Sequence, residues 1–266
     1  KKIGKGSTAD DAMIEPALTL FTNQGLYSPT LYDGAPISPG PGWILQNAPF
    51  AILDLYWLLS AFYITLTVAL FHFLFKKYRE TNLVLILLSS SLLFWELLVT
   101  GHDLIAIGFS FVFYIALTYR LSNSSSDHHL FLCMLAITVG IFATSRILFF
   151  CFPILLSAFL WKFNRRQAIQ FSVISLSVTA LFHGYFYTTS DHYQPLHLFS
   201  RGSTQVGSYL SMFGLIATIS AFFIVYRSLQ NSIESWLFSV FVCISLPLTV
   251  IAIGEFMASN YDFSLW

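Results

Sequence analysis

Residues 50–75 read FAILDLYWLLSAFYITLTVALFHFLF, and the basic pair Lys76-Lys77 follows immediately. This stretch carries one formal charge, Asp54, near its start. A helix of about 20 apolar residues crosses the roughly 30 Å hydrocarbon core of a bilayer. The segment therefore predicts a transmembrane helix that ends at a membrane surface beside Lys76.

The composition of the whole chain agrees with this interpretation. Of the 266 residues, 56% are hydrophobic and 10% are charged, and the mean hydropathy is +0.70. Soluble domains carry about 25% charged residues, so a soluble enzyme, a disordered chain and a fibrous protein are excluded. The 13 basic residues balance the 13 acidic ones, which leaves no net positive field for nucleic acid.

Further apolar stretches predict an all-α, polytopic bundle of about eight transmembrane helices in an integral membrane protein. The apolar runs 82–119 and 129–161 are too long for single crossings at about 1.5 Å per residue. We divide them at Thr100–Asp103 and Ala143–Arg146, where polar residues predict turns. The predicted spans are 50–75, 82–99, 103–119, 129–144, 147–161, 168–188, 205–226 and 234–256.

These spans divide the chain into three regions. Residues 1–49 form a first extracytoplasmic loop, residues 50–256 a membrane domain, and residues 257–266 an extracytoplasmic C-terminal segment. The first loop is rich in proline and glycine, and we expect a short interfacial helix in it. Asp11 is predicted to cap this helix, with Pro16 in its first turn.

The distribution of basic residues sets the predicted orientation. Eight crossings place eight of the thirteen on one face: Lys76, Lys77, Arg79, Arg120, Lys162, Arg165, Arg166 and Arg227. This face is cytoplasmic by the positive-inside rule, so both termini are extracytoplasmic. The compact chain with short loops favours a bacterial inner membrane. The six tryptophans lie near predicted span ends or loops, which is typical of an aromatic belt.

The opposite face collects the polar residues that a bilayer tolerates least. Arg146 is the most informative, because an arginine beside a span costs free energy on the face that lacks positive charge. A phosphate would offset this cost, since the planar guanidinium matches its oxygens. The alternatives to phosphate binding are that Arg146 pairs with Asp103 or Glu96, or that it contacts lipid headgroups.

Metal binding has weaker support. Asp191-His192 and His197 are residue types that hold a divalent metal, but their spacing matches no strong ligand pattern. A divalent metal is therefore a candidate cofactor without assigned ligands. The three cysteines, Cys133, Cys151 and Cys243, lie scattered in apolar runs and predict neither a disulfide framework nor a metal site.

Residues 10–42 resemble the first extracytoplasmic loop of the GT-C glycosyltransferases, which include protein O-mannosyltransferases and aminoarabinose transferases. The matching features follow in order: the acidic pair Asp10-Asp11 with Glu15-Pro16, then Gly25-Leu-Tyr-Ser-Pro29, then the Pro/Gly-rich run Asp33–Gly42. A Gly-His-Asp turn at 101–103 matches more loosely. The family usually has Asp-Glu as its pair and a helix before it, so we expect a chain truncated at both ends.

The resemblance implies sugar transfer, with inversion, from a polyprenyl-phosphate-linked donor to a lipid, glycan or protein acceptor. Asp10 matches the general base of the family, with Asp11 beside it in the catalytic pair. The other expected site residues bind substrate, and the two arginines stabilise the phosphate leaving group. These residues are Glu15, His102, Asp103, Arg146 and Arg201.

Three alternatives stay open. A multi-span transporter predicts internal repeats and polar residues near the bilayer midplane, whereas we find no convincing repeat. A non-catalytic scaffold subunit predicts polar residues that are scattered and individually satisfied. A polysaccharide polymerase or ligase shares lipid-linked substrates but usually has a large later loop, and the loop at 189–204 is short.

Overall fold

The computed structural model describes residues 8–20, 25–28, 31, 37–99, 103–123, 129–190, 192–195 and 208–258. Within these ranges the protein is all-helical, with eleven α-helices and no strand, which confirms the predicted class. The helices are α1 (Thr8–Thr19), α2 (Pro41–Ile52), α3 (Leu59–Leu70), α4 (Tyr78–Ser89), α5 (Leu92–Val99), α6 (Leu104–Ser122), α7 (His129–Ala143), α8 (Cys151–Phe163), α9 (Arg165–Thr189), α10 (Ser208–Ser228) and α11 (Ile233–Ala258).

Several helical segments are suited to a bilayer. In the described ranges three are long and apolar enough to cross one: Tyr56–Phe75, α6 and α9. The pair α4–α5 makes a fourth if its two halves form one crossing. Shorter apolar stretches of 10–17 residues correspond to the remaining predicted spans: His129–Ala143, Cys151–Phe163, Met212–Ser228 and Ile233–Leu246. The helices are thus consistent with an integral membrane protein.

Both predicted breaks in the long apolar runs occur. Helix α5 ends at Val99 and α6 begins at Leu104. Helix α7 ends at Ala143, and a short 3-10 turn over Ile147–Phe150 leads into α8. Polar residues in an otherwise apolar run were therefore a reliable signal of a turn.

A third break divides the predicted span 82–99, because α4 and α5 meet at a bend of 79°. The hydroxyls of Ser89 and Ser90 donate to carbonyls three residues earlier, at 2.8 and 2.7 Å. Such bonds compete with continuation of a helix. The indole nitrogen of Trp95 then donates to the Ser89 carbonyl at 2.7 Å and braces the bend.

The first loop holds more helix than predicted. Helix α1 begins at Thr8, so Asp11 is an interior helical residue and the predicted cap is wrong. Pro16 likewise lies inside α1 rather than in its first turn. Helix α2 was not predicted. It has Pro41 at its first position, where a backbone N–H has no partner within the helix, so the missing N–H of proline costs nothing. The span predicted over 50–75 therefore starts later, at Tyr56.

Helix α2 lies across one end of the bundle. Before it, the Gly40 amide donates to the Ser145 carbonyl at 2.8 Å. After it, the chain returns to the same end at Tyr56, which lies in the electrostatic field of Asp103 and Arg146. Helix α1 packs on α2. We call this region, where the start of α2 contacts the α7–α8 turn, the Arg146 end.

The opposite end is held by polar contacts, and we call it the basic end. Lys77 and Glu234 form an ion pair at 2.8 Å. The Asn231 side chain donates to Asn123 at 2.8 Å, which joins the end of α6 to the start of α11. The Lys162 ammonium donates to three carbonyls near the end of α10. Basic residues from distant parts of the sequence therefore meet at one end.

Aromatic side chains fill the core between the two ends. Phe142 is fully buried, and its ring centroid lies 5.0 Å from that of Phe111 and 5.1 Å from that of Tyr114. Trp43 and Trp236 are also fully buried, so the aromatic belt expected of all six tryptophans is wrong for these two. Trp57, Trp95 and Trp161 are exposed, as a belt requires, and Trp266 lies outside the described residues.

Candidate functional site

Asp103 and Arg146 lie together although 43 positions separate them in the sequence. Asp103 directly precedes α6 and Arg146 follows α7, so two helix ends bring them together. The Nη2 atom of Arg146 is 3.8 Å from Oδ2 of Asp103. This distance is too long for a hydrogen bond. A guanidinium has five N–H donors, and this contact occupies none of them at hydrogen-bond distance.

The burial of the two side chains differs. Asp103 is 4% exposed, whereas Arg146 is 25% exposed. Arg146 therefore has the greater access to the surface. The buried carboxylate of Asp103 lies close enough to offset the charge of Arg146, and its contact with substrate stays a prediction.

A backbone contact fixes the first loop over the turn that carries Arg146. The Gly40 amide donates to the Ser145 carbonyl, and the Gly42 amide donates to the Thr144 hydroxyl at 2.9 Å. A Cβ atom on Gly40 would lie 1.7 Å from the Thr144 carbonyl oxygen. On Gly42 it would lie 1.8 Å from the Ile141 carbonyl oxygen. Only glycine permits this approach. We call Gly40, Gly42 and Thr144 the glycine latch.

Three buried polar atoms beside the latch have no hydrogen-bond partner among the described residues. They are the indole nitrogen of Trp43 and the hydroxyl oxygens of Tyr56 and Ser145. Trp43 follows the latch, Ser145 precedes Arg146, and Tyr56 lies in the field of the Asp103–Arg146 pair. Buried polar groups are nearly always paired. All three can donate a hydrogen bond, so the arrangement suits an acceptor-rich, anionic ligand.

Aromatic contacts bring the loop after α9 to the same end. The rings of Tyr27 and Tyr193 lie 4.7 Å apart, and Phe186 lies 5.9 Å from Tyr27. His183 Nδ1 and the Tyr193 hydroxyl share a hydrogen bond of 2.5 Å. Burial raises the pKa of Tyr27, although the nearby positive charge of Arg146 lowers it in part. The Tyr27 hydroxyl therefore stays protonated, and it donates to the Pro39 carbonyl at 3.2 Å.

A polar network lies beneath α2, and the sequence analysis missed it. The Gln46 amide nitrogen donates to the hydroxyls of Tyr63 and Tyr114, each at 2.9 Å. Tyr63 in turn donates to the Asn47 side chain at 2.9 Å. These bonds attach α2 to α3 and α6. The adjacent amides Gln46-Asn47 within the apolar run 43–52 were the available signal.

The other predicted site residues are only partly described. Asp11 is half-buried and Glu15 exposed on α1, whose backbone also includes Asp10. The Asp10 side chain, His102 and Arg201 lie outside the described residues, so their predicted roles are untested. The described part of the chain holds no group of three His, Cys, Asp or Glu residues suited to a metal, and Asp191 and His197 lie outside it.

Comparisons of the chain with protein-family models, with curated proteins and with solved structures gave no match. Its function must therefore be inferred from its own residues. The relevant features are the Asp103–Arg146 pair, the buried donors that have no partner among the described residues, and the glycine latch on the turn before Arg146.

Proposed function

We propose that the protein is a membrane glycosyltransferase of the GT-C type, with about eight crossings. In this proposal the Arg146 end faces the extracytoplasmic side of a bacterial inner membrane. The enzyme transfers a sugar, with inversion, from a polyprenyl-phosphate donor to a lipid, glycan or protein acceptor. The observation that supports this most is the partly exposed guanidinium of Arg146, 3.8 Å from the buried carboxylate of Asp103.

The donor phosphate occupies the space beside Arg146 in this proposal. The guanidinium carries the opposite charge and presents donors in a plane that fits phosphate oxygens. The hydroxyls of Tyr56 and Ser145 and the indole N–H of Trp43 supply neutral donors. Asp103 holds the guanidinium in place from its buried side. The four donors come from three segments, and the glycine latch fixes their relative positions.

The transfer step follows from this arrangement. The acceptor hydroxyl attacks the anomeric carbon, and the bond between that carbon and the phosphate oxygen breaks. The phosphate leaves with the electron pair, and Arg146 stabilises the charge that develops on it. The acceptor proton passes to a carboxylate base, and the resemblance assigns this role to Asp10 with Asp11 beside it. Glu15, His102 and Arg201 complete the proposed substrate contacts.

Transfer assays in liposomes test this proposal. The purified chain is reconstituted and given labelled polyprenyl-phosphate sugars, and both transfer and binding of unlabelled polyprenyl phosphate are measured. Arg146→Met is expected to lower turnover by about 10²–10³, as for loss of one transition-state donor. Arg227→Met, an exposed arginine at the basic end, is the matched control and keeps full activity. Asp10→Asn abolishes transfer but retains donor binding.

Two results would contradict the proposal. One is a reconstituted protein that neither binds polyprenyl phosphate nor transfers any sugar in the panel. The other is an Arg146→Met variant with the turnover of the unmodified protein. Retained turnover in Asp10→Asn would remove only the assignment of the base.

A multi-span transporter is the second candidate, because the bend between α4 and α5 resembles the broken helices of transporters. In transporters such breaks place helix ends at a substrate near the midplane. Here the serine hydroxyls at the break bond to their own helix instead. Sugar uptake into sealed liposomes without covalent transfer would favour this candidate over the transferase.

A further inference from the structure

The junction between α8 and α9, at the basic end, displays two adjacent arginines. Arg165 and Arg166 lie in the first turn of α9, and both side chains are exposed. This turn has no acidic residue, and neither arginine forms an ion pair with another described residue. The Gln167 amide already donates to the Asn164 side chain at 3.2 Å. The two guanidinium groups, rather than the helix end, therefore provide the charge of this surface.

Trp161, near the end of α8, holds one of these arginines against its ring. The guanidinium carbon of Arg165 lies 5.7 Å from the centre of the Trp161 ring, within the range of a cation–π interaction. A ring in this position contacts the face of a guanidinium, whereas the N–H donors lie in its plane. The donors therefore stay available to a ligand. We call Trp161, Arg165 and Arg166 the junction cluster.

Other cations of the basic end are already engaged within the protein. The Lys162 ammonium donates to three carbonyls near the end of α10, and Lys77 is paired with Glu234. Arg165 and Arg166 have no such partner in the described part of the chain. Their charge calls for an anion, and the planar donors of a guanidinium fit the oxygens of a phosphate.

The surface that continues from the two arginines is apolar. Ile169 and Val173 follow Arg165 at intervals of four residues, so they share its face of α9. Their side chains are 50% and 60% exposed. The other side of the helix, with Ala168 and Phe171, is buried. The exposed face thus has a cationic end and an apolar continuation of about 12 Å, at 1.5 Å per residue.

This combination selects one class of anion. Helix α9 is long and apolar enough to cross a bilayer, so its exposed apolar face contacts lipid chains and its charged end lies near the lipid phosphates. Tryptophan also favours this level of a membrane, and Trp161 is 44% exposed. A nucleic acid or an acidic soluble protein would match the charge but would leave Ile169 and Val173 uncovered. A phospholipid matches both parts of the surface.

We propose that the junction cluster binds the headgroup phosphate of an anionic phospholipid, whose acyl chains cover Ile169 and Val173. Such a contact fixes the level of α8 and α9 in the membrane. An anionic lipid is preferred to a zwitterionic one, because the cation of a zwitterionic headgroup offsets the charge of its phosphate. The site lies at the opposite end of the bundle from Arg146 and does not depend on sugar transfer.

Lipid binding to the purified full chain in detergent tests this proposal. Native mass spectrometry measures Kd for phosphatidylglycerol and for phosphatidylcholine with the same acyl chains. Arg165→Gln and Arg166→Gln should each raise Kd for phosphatidylglycerol about fivefold, the effect of one cation at a membrane surface. Trp161→Leu should raise it about threefold, through loss of the cation–π contact. Kd for phosphatidylcholine should stay the same in all three variants.

Arg120→Gln is the matched control. Arg120 is an exposed arginine in the last turn of α6, at the same end of the bundle. Ala116, one turn before it, is fully buried and offers no surface to an acyl chain. This variant should raise Kd for phosphatidylglycerol by less than about twofold, because exposed charges beyond the site are screened. An equal rise in Arg120→Gln and Arg165→Gln would overturn the proposal, since the overall charge would then attract the lipid.

Two further measurements separate folding from binding. The unfolding temperature without added lipid should be the same in all the variants, since the altered side chains are exposed. Arg165→Lys keeps the charge and should retain most of the affinity that Arg165→Gln loses. An unchanged Kd for phosphatidylglycerol after simultaneous Arg165→Gln and Arg166→Gln substitution would overturn the proposal.

Anions without acyl chains distinguish a lipid from other sources of the same charge. Glycerol 3-phosphate carries the headgroup phosphate alone, and a polyglutamate peptide represents an acidic protein. Neither is expected to displace phosphatidylglycerol at a concentration at which the lipid saturates the site. Displacement by either one would overturn the proposal, because the apolar face would then have no part in recognition. Arg146→Met should leave this binding unchanged, so a failure of the proposed sugar transfer does not affect the result.

Discussion

Two ion pairs lie at opposite ends of the bundle. Lys77 and Glu234, at the basic end, are 2.8 Å apart with side chains 39% and 62% exposed. Asp103 and Arg146 are 3.8 Å apart, but the Asp103 side chain is only 4% exposed. Water and salt weaken the shorter pair, whereas loss of one partner from the longer pair leaves a charge in a poorly solvated place. Burial, rather than contact distance, decides which pair matters.

The hydrogen bonding of polar groups can also be compared between the two ends. At the basic end Lys162 has three carbonyl partners, at 2.6, 2.9 and 3.1 Å. At the Arg146 end the buried donors of Trp43, Tyr56 and Ser145 have no partner among the described residues. At the basic end the buried indole nitrogen of Trp236 likewise has no partner among the described residues. The two ends therefore differ in the number of such donors, three against one, and in the buried carboxylate of Asp103.

The largest expected effect comes from breaking each ion pair in the same way. Asp103→Asn leaves the Arg146 charge without its buried counter-ion and is expected to lower the free energy of unfolding by about 3 kcal/mol. This is the low end of the range for broken buried pairs, since Arg146 is one quarter exposed. Glu234→Gln is the matched change at the basic end. Its effect should lie near the error of an unfolding measurement in detergent.

Equal losses of stability in the two variants would contradict this ranking. Inorganic phosphate offers a second measurement, since an anion beside Arg146 replaces the missing counter-ion. We expect phosphate to stabilise Asp103→Asn more than it stabilises Glu234→Gln.

A smaller effect is expected from the glycine latch. Gly40→Ala places a Cβ 1.7 Å from a backbone oxygen that cannot rotate away, so the first loop must move. Overpacking of this kind costs about 1–3 kcal/mol, and displacement of the loop also lowers ligand binding at Arg146. Gly108→Ala is the control, because its Cβ meets nothing within 4 Å on α6. Alanine favours a helix over glycine, so this variant should unfold at the same temperature or higher.

Some of these features could be predicted from the sequence, and others could not. The breaks between α5 and α6 and between α7 and α8 were predictable because polar residues interrupt apolar runs. The pairing of Arg146 with Asp103 was one of the stated alternatives. Helix α2 was not predicted, since dense proline and glycine around Gly40 are typical of a loop. The first turn of this helix contacts Thr144, a residue 102 positions away, and such a contact has no signature in the local sequence.

Other features were missed for local or for tertiary reasons. The bend at Ser89 coincides with bonds of serine hydroxyls to their own helix, and the run Ser89–Ser91 in an apolar stretch was the available signal. The burial of Trp43 and Trp236 contradicts a rule that treats tryptophan as an interfacial residue. The unpartnered state of the Ser145 hydroxyl follows from its neighbours rather than its type. The roles assigned to Asp10 and Arg201 remain predictions.

A third prediction concerns the contacts of Lys162 at the basic end. Lys162→Met removes the donor to the carbonyls of Tyr226, Arg227 and Leu229, which close the end of α10. A cation at a helix C-terminus contributes about 0.3–1 kcal/mol, so we expect a small loss of stability. Hydrogen exchange should rise in the last turn of α10 and stay unchanged at the Arg146 end. Lys76→Met, at the same end, controls for loss of a charge.

The smallest effect is the pH dependence of the exposed pair. The hydrogen bond to Glu234, and then the attraction of its charge, raise the pKa of Lys77 above its usual 10.5. The protonated form of Lys77 is therefore favoured in the folded protein, and Lys77 lowers the pKa of Glu234 below its usual 4.5. The pair contributes its full stabilisation between pH 4.5 and pH 10.5 and loses it in acid, as Glu234 becomes protonated. This contribution is lost as the pH rises through the raised pKa.

The stability difference between the unmodified protein and Glu234→Gln should accordingly be constant at intermediate pH. It should vanish above the raised pKa of Lys77 and below the lowered pKa of Glu234. A titration of Lys77, followed by NMR of its methylated amine, gives a more direct measurement. Glu234→Gln should lower the observed pKa, and added salt should reduce the difference, because the pair is exposed. If the pKa of Lys77 responds neither to Glu234→Gln nor to added salt, the 2.8 Å contact does not persist in solution. The contrast between the two ends would then rest on Asp103 and Arg146 alone.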